Sequence, residues 1–133
     1  MKLAYLLLIP LLVFGCSGEA TGPAIEVDFS WPADMTPCFD TKSPEIRLKS
    51  IPEGTRSFSV KVFDTEYAMN HGGGKVMNDG TGFIAEGALK EYKGPCYDLA
   101  ISGPGNYEFT ITAMDDKGKA IASGKTARKY PEK

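Results

Sequence analysis

Hydrophobic and polar positions along this 133-residue chain fall into two kinds of pattern. The first is a continuous apolar run over residues 3–14, broken only by Pro10 and preceded by Met1-Lys2. The second is alternation. Ile25, Val27, Phe29 and Trp31 share one side, and Glu26, Asp28 and Ser30 the other, the period-two mark of a half-buried strand. Phe58, Val60 and Val62 alternate with Ser57, Ser59 and Lys61, ending at Phe63-Asp64. Tyr107, Phe109, Ile111 and Ala113 alternate with Glu108, Thr110 and Thr112. Arg47-Leu48-Lys49 before Ile51-Pro52-Glu53-Gly54 reads as a strand entering a turn. Asp115-Asp116-Lys117-Gly118 reads as a hairpin turn into a last strand over residues 119–127. Only residues 86–92 look helical, for barely two turns. Short strands, frequent turn signals and one short helix predict an all-β, antiparallel β-sandwich with no internal repeat.

The apolar run is too short to span a hydrocarbon core, which needs about 20 apolar residues, and it fits the h-region of a signal peptide. It ends in Val13-Phe14-Gly15-Cys16, which resembles a bacterial lipobox, with Phe14 bulkier than usual at its place. That pattern predicts a lipoprotein signal peptide over residues 1–15 and lipidation of Cys16, the new N-terminus. The alternative is an ordinary secretory leader. Stable anchoring takes more than one acyl chain, which lipoprotein processing supplies. The expected location is the cell envelope, and Ser17 after the cysteine leans towards the outer membrane facing the periplasm in a Gram-negative cell. The polar, Gly-containing residues 16–24 then form a flexible tether, and residues 25–133 the folded domain.

Composition narrows the chemistry. Fifteen Lys+Arg against seventeen Asp+Glu leave no basic excess for nucleic acid. One histidine and three cysteines exclude a two-His metal site and a four-thiolate zinc site, and no cofactor is implied. With Cys16 assigned to lipid, Cys38 and Cys96 remain. An oxidising compartment favours a disulfide between them over two buried thiols.

Several motifs fail on context. His71-Gly72-Gly73-Gly74 looks like an esterase oxyanion loop, but no Gly-x-Ser-x-Gly elbow accompanies it. Gly124-Lys125-Thr126 lacks the earlier glycine of a phosphate loop and sits in a predicted strand. Gly80-Thr81-Gly82 has no long helix after it, and no calcium loop is present.

What survives is collinear. Ser43-Pro44-Glu45-Ile46, Ile51-Pro52-Glu53-Gly54-Thr55-Arg56-Ser57-Phe58 and Val62-Phe63-Asp64 come first. Asn70-His71-Gly72-Gly73-Gly74, Gly87-Ala88-Leu89, Tyr92-Lys93-Gly94-Pro95-Cys96 and Tyr107-Glu108-Phe109 follow in order. In this order and spacing the chain resembles the phosphatidylethanolamine-binding protein family, in its bacterial Raf-kinase-inhibitor-like branch, over about residues 43–131. The resemblance implies an antiparallel β-sandwich with a pocket at one end for a small anion or phospholipid headgroup. It implies Asp64, His71, Gly94, Pro95 and Tyr107 as ligand-binding residues. Two departures stand out. Thr65-Glu66 replace the usual Pro-Asp, and Gly105 stands where the family has its second pocket histidine.

Physically, a histidine ring can donate to an anion and Tyr107 offers a phenolic donor. The glycines after His71 are read either as an anion-binding nest or as a tight crossover. His71 has the rival reading of a turn residue, and Asp64 that of a strand-ending residue bonding nearby backbone. The expected function is a non-catalytic, lipid-anchored envelope protein that binds a small anion. The alternative is a protein-interaction module or inhibitor with a vestigial pocket. An enzyme is not expected, since a lone histidine with no nucleophile offers only proton transfer.

Overall fold

The computed structural model describes residues 22–36, 38–96 and 103–132. The predicted signal peptide, Cys16 and the tether as far as residue 21 lie outside the described residues. The chain forms seven strands: β1 (Glu26–Phe29), β2 (Ile46–Lys49), β3 (Ser57–Asp64), β4 (Met69–Met77), β5 (Phe83–Ile84), β6 (Gly105–Met114) and β7 (Ala120–Tyr130). They make two antiparallel sheets, a small one ordered β1-β2-β5 and a large one ordered β4-β3-β6-β7. The predicted sandwich is what forms.

Alternation explains the layers. In β6, Gly105, Tyr107, Phe109, Ile111 and Ala113 are buried and the residues between them are not. β3 buries Phe58, Val60, Val62 and Asp64 in the same way and pairs with β6 from Ser57↔Met114 to Asp64↔Tyr107. Phe29, Ile46, Leu48 and Ile84 of the small sheet close onto this face. Each such side chain stabilises the fold by about 1.5–3 kcal/mol on burial. Ala24 bridges Ser123 and the Ile25 N–H donates to the Ser123 carbonyl at 2.9 Å, so the chain enters the small sheet by way of β7.

The short helix predicted over residues 86–92 does not form, and the described residues contain no helix. Two separate turns take its place, with Ala88 N–H to the Ala85 carbonyl and Tyr92 N–H to the Leu89 carbonyl. The remaining donors go elsewhere: Gly87 to the Ser43 carbonyl, Leu89 to Ser43 Oγ, Glu91 to the Gly73 carbonyl and Lys93 to the His71 carbonyl. Gly87, at φ +75°, breaks the right-handed run. A helix would need those N–H groups for itself. Tertiary partners took them, and the segment lies along the free edge of β4.

Candidate functional site

The alternation missed β4 and the two-residue β5, and β4 carries His71. Its register against β3 runs Lys61↔Gly73 and then Phe63↔Asn70, so His71 and Gly72 together face Val62. That is a β-bulge on β4, with Gly72 at φ +74° taking the left-handed conformation. The extra residue lets His71 turn inwards, where it is 1% exposed. A Cβ on Gly72 would stand 1.8 Å from the Glu91 carbonyl oxygen, and one on Gly73 2.0 Å from that of Val60. The glycines admit neighbouring backbone. They are strand residues rather than a crossover, and the Gly72 N–H is taken by Asn70 Oδ1 at 2.8 Å.

Three polar side chains named from the sequence converge at this end of the sandwich. The rings of His71 and Tyr107 meet edge to face at 5.0 Å. Asp64, directly opposite Tyr107 across β3 and β6, is buried. Its Oδ1 accepts N–H bonds from Glu66 (2.9 Å), Asn106 (3.1 Å) and Tyr67 (3.4 Å). The Tyr107 hydroxyl donates to the same carboxylate. Burial, then the Asp64 charge and this bond, push the Tyr107 pKa up to about 12. Asp64 is therefore a saturated hub that closes the β3–β4 turn and claims the Tyr107 proton.

His71 is different. Its Nδ1 lies 2.8 Å from the Lys93 carbonyl, so that nitrogen carries the proton and donates. Nε2 is buried with no partner. A neutral ring presents a lone pair there, and a protonated ring presents a donor. Tyr92, from the segment read as helix, has the same property: its hydroxyl is buried and unpartnered. Burial, then the charge of Asp40, raises its pKa well above the tyrosine range. Tyr92 is not among the ligand groups expected from the sequence, where it falls at the end of the segment read as helix. Its place next to Lys93-Gly94-Pro95 was the available signal.

Gly94 and Pro95 follow Lys93, whose backbone bonds His71, but offer no free donor. The Gly94 N–H goes to the Asp40 carbonyl at 2.8 Å, and a Cβ on Gly94 would come within 3.0 Å of that oxygen. Pro95 is buried. Cys38 and Cys96 form the predicted disulfide, which joins the 38–42 segment to this strip. Arg128, opposite Tyr107 on β7, is committed elsewhere: it bonds Asp28 at 3.0 Å and Glu132 at 3.2 Å and packs over the Phe29 ring.

The substitution at Gly105 is built into the site. A Cβ there would stand 2.5 Å from Asp64 Oδ2 and 2.8 Å from the Tyr107 hydroxyl. Those two groups occupy the room that a side chain at 105 would need. Among the described residues, no group of three His, Cys, Asp or Glu side chains is placed to hold a metal ion.

No protein-family model matches the sequence, and no curated protein does. Solved structures do match in fold. One is Escherichia coli YbcL, described as a new member of the mammalian phosphatidylethanolamine-binding protein family. It is similar at a TM-score of 0.50 and 19% identity, over 70% of this chain and 82% of that one. Another is CT736 of Chlamydia trachomatis, described as a phosphatidylethanolamine-binding protein homologue. Its TM-score is 0.48 at 18% identity, over 69% of this chain and 82% of that one. The two antiparallel sheets together with the likeness to YbcL make the fold an antiparallel sandwich of the phosphatidylethanolamine-binding-protein type.

Proposed function

We propose that the chain is a lipid-anchored bacterial envelope protein that binds a small anion, inorganic phosphate or a phosphorylated headgroup, at His71 and does no chemistry on it. One observation carries this reading: a buried imidazole whose Nδ1 is held by the Lys93 carbonyl while Nε2 has no partner. An unpaired polar atom in the interior costs about 1–3 kcal/mol unless something binds it. An anion at Nε2 would draw a proton onto the ring and receive a charge-assisted hydrogen bond from it. The Tyr92 hydroxyl is a second buried polar group without a partner. Asp64, Tyr107 and Gly94 then act as positioning residues, since their own donors and acceptors are spent within the protein.

His71 is the only histidine, so its ring resonances are assigned without ambiguity. Titration of the lipid-free domain with phosphate, phosphoethanolamine and acetate should shift them saturably at millimolar ligand. An unchanged His71 spectrum overturns the anion reading. Anchoring at Cys16 is tested separately by cell fractionation: the Cys16→Ala protein should leave the membrane fraction.

A second reading is favoured by a different observation. Phe39, Phe63, Tyr67 and Met69 are each 41–47% exposed around the His71 end, a composition suited to a protein partner. An interaction module or inhibitor would use that rim with the pocket vestigial. A partner captured from envelope extract equally well by wild type and His71→Ala would support it.

A further inference from the structure

The Cys38–Cys96 bridge fastens a strap that carries Phe39 against the buried histidine. Cys38 and Phe39 both have left-handed backbones, at φ +64° and +60°. Side-chain-bearing residues adopt that conformation only when their surroundings hold them there. Three attachments do so here. The disulfide joins Cys38 to Cys96. The Asp40 carbonyl receives the Gly94 N–H at 2.8 Å. The Asp40 carboxylate accepts the N–H groups of Thr36 and Lys42, each at 2.9 Å, which holds its pKa below the usual range. The Phe39 ring packs against the His71 ring, 6.2 Å between centroids and inclined by 30°. Phe39 is 47% exposed while the His71 ring it packs against is 1% exposed, which puts Phe39 on the solvent side of the pair.

Both cysteines are themselves exposed, within reach of an attacking thiolate. From this geometry we infer that the disulfide is a redox latch on the His71 site. Oxidised, it holds Phe39 down. Reduced by a dithiol, it releases Cys38, leaves the strap held only through the Asp40 hydrogen bonds, and lets Phe39 swing off the imidazole so that Nε2 meets solvent and ligand. The step balances: a thiolate attacks one cystine sulfur and displaces the other. The reductant's second thiol then resolves the mixed disulfide. Two protein thiols and one oxidised dithiol result. The latch regulates the site proposed above and rests on that reading only for what enters.

Diethyl pyrocarbonate, which acylates an accessible neutral imidazole nitrogen, tests the latch without any ligand. With one histidine in the chain, the carbethoxyhistidine signal reports His71 alone. The rate should rise about tenfold or more when dithiothreitol reduces the bridge, as buried groups react only through opening. Far-UV circular dichroism on the same samples shows whether the strands persist. Phe39→Ala, with the disulfide intact, should raise the rate similarly and guards against reduction unfolding the domain. A slow rate unchanged in folded, fully reduced protein, or unchanged in Phe39→Ala, overturns the latch. Inorganic phosphate added to both redox forms separates the two ideas: acylation accelerated by reduction with no phosphate binding in either form overturns the anion reading and leaves the latch standing.

Discussion

The two ends of the sandwich are built on opposite principles. At the end where β3 begins and β6 finishes, the turns are closed mainly by short-range bonds, with Asn78 Nδ2 also donating to the Thr55 carbonyl. Asp115 Oδ1 accepts the N–H groups of Lys117 and Lys119, Asn78 Oδ1 accepts that of Gly80, and Thr55 Oγ1 donates to the Pro52 carbonyl. A Cβ added to Gly54, Gly80 or Gly118 would meet nothing within 4 Å. Those glycines are there for their positive φ. At the other end the glycines admit foreign backbone, polar groups are buried, and a disulfide ties sequence-distant segments together. The first end spends its residues on local economy. The second encloses a histidine with an unpartnered nitrogen, which is the arrangement expected of a site.

Breaking the disulfide should have the largest effect. Cys38→Ala with Cys96→Ala opens a span of 58 residues, worth about 4 kcal/mol on the chain-entropy account. Urea denaturation of the oxidised domain and the double variant measures it. The glycine contrast comes next. Gly72→Ala drives a Cβ into the Glu91 carbonyl at a left-handed residue and should cost about 3 kcal/mol. Gly118→Ala has the same φ and open space, so it should cost only about 1 kcal/mol. Equal losses at the two positions would remove the distinction between the ends.

A smaller effect separates the ends by pH. Tyr107 keeps its proton to about pH 12 in the fold, whereas an unfolded tyrosine releases it near 10. The stabilisation is fully present below pH 10 and is lost as pH rises towards 12, because the unfolded chain then binds fewer protons than the folded one. Unfolding free energy should fall over that interval in wild type. It should fall less steeply in Tyr107→Phe, as followed by denaturant titrations at pH 9 and about pH 11.

The same contrast decides what could be read from the sequence. β1, β3 and β6 were legible because their buried and solvated residues alternate. The local turn at 115–118 was legible because its Asp and Gly act on their own neighbourhood. β4 was not: Met69-Asn70-His71-Gly72-Gly73-Gly74 has no alternation, since a bulge shifts its phase and glycines replace the side chains that would mark it. The segment after Ala85 looked helical because Leu89 and Tyr92 are spaced for one apolar face. They are indeed buried, but by turns whose N–H groups bond to Ser43, His71 and Gly73. Family likeness picked out His71, Tyr107 and Asp64, which the fold brings together at one end of the sandwich. It did not say which of their polar atoms are already spent, and that depends on distances between segments.

The central claim is that His71 Nε2 is kept free for an anion. Calorimetric titration with sulfate, a phosphate-shaped anion that does not titrate near neutrality, tests it most directly. Run at about pH 7.5 in buffers of different ionisation enthalpy, it reads proton uptake along with binding. The account predicts saturable binding accompanied by fractional proton uptake, both abolished in His71→Asn. Binding without proton uptake, or uptake that persists in His71→Asn, would contradict it.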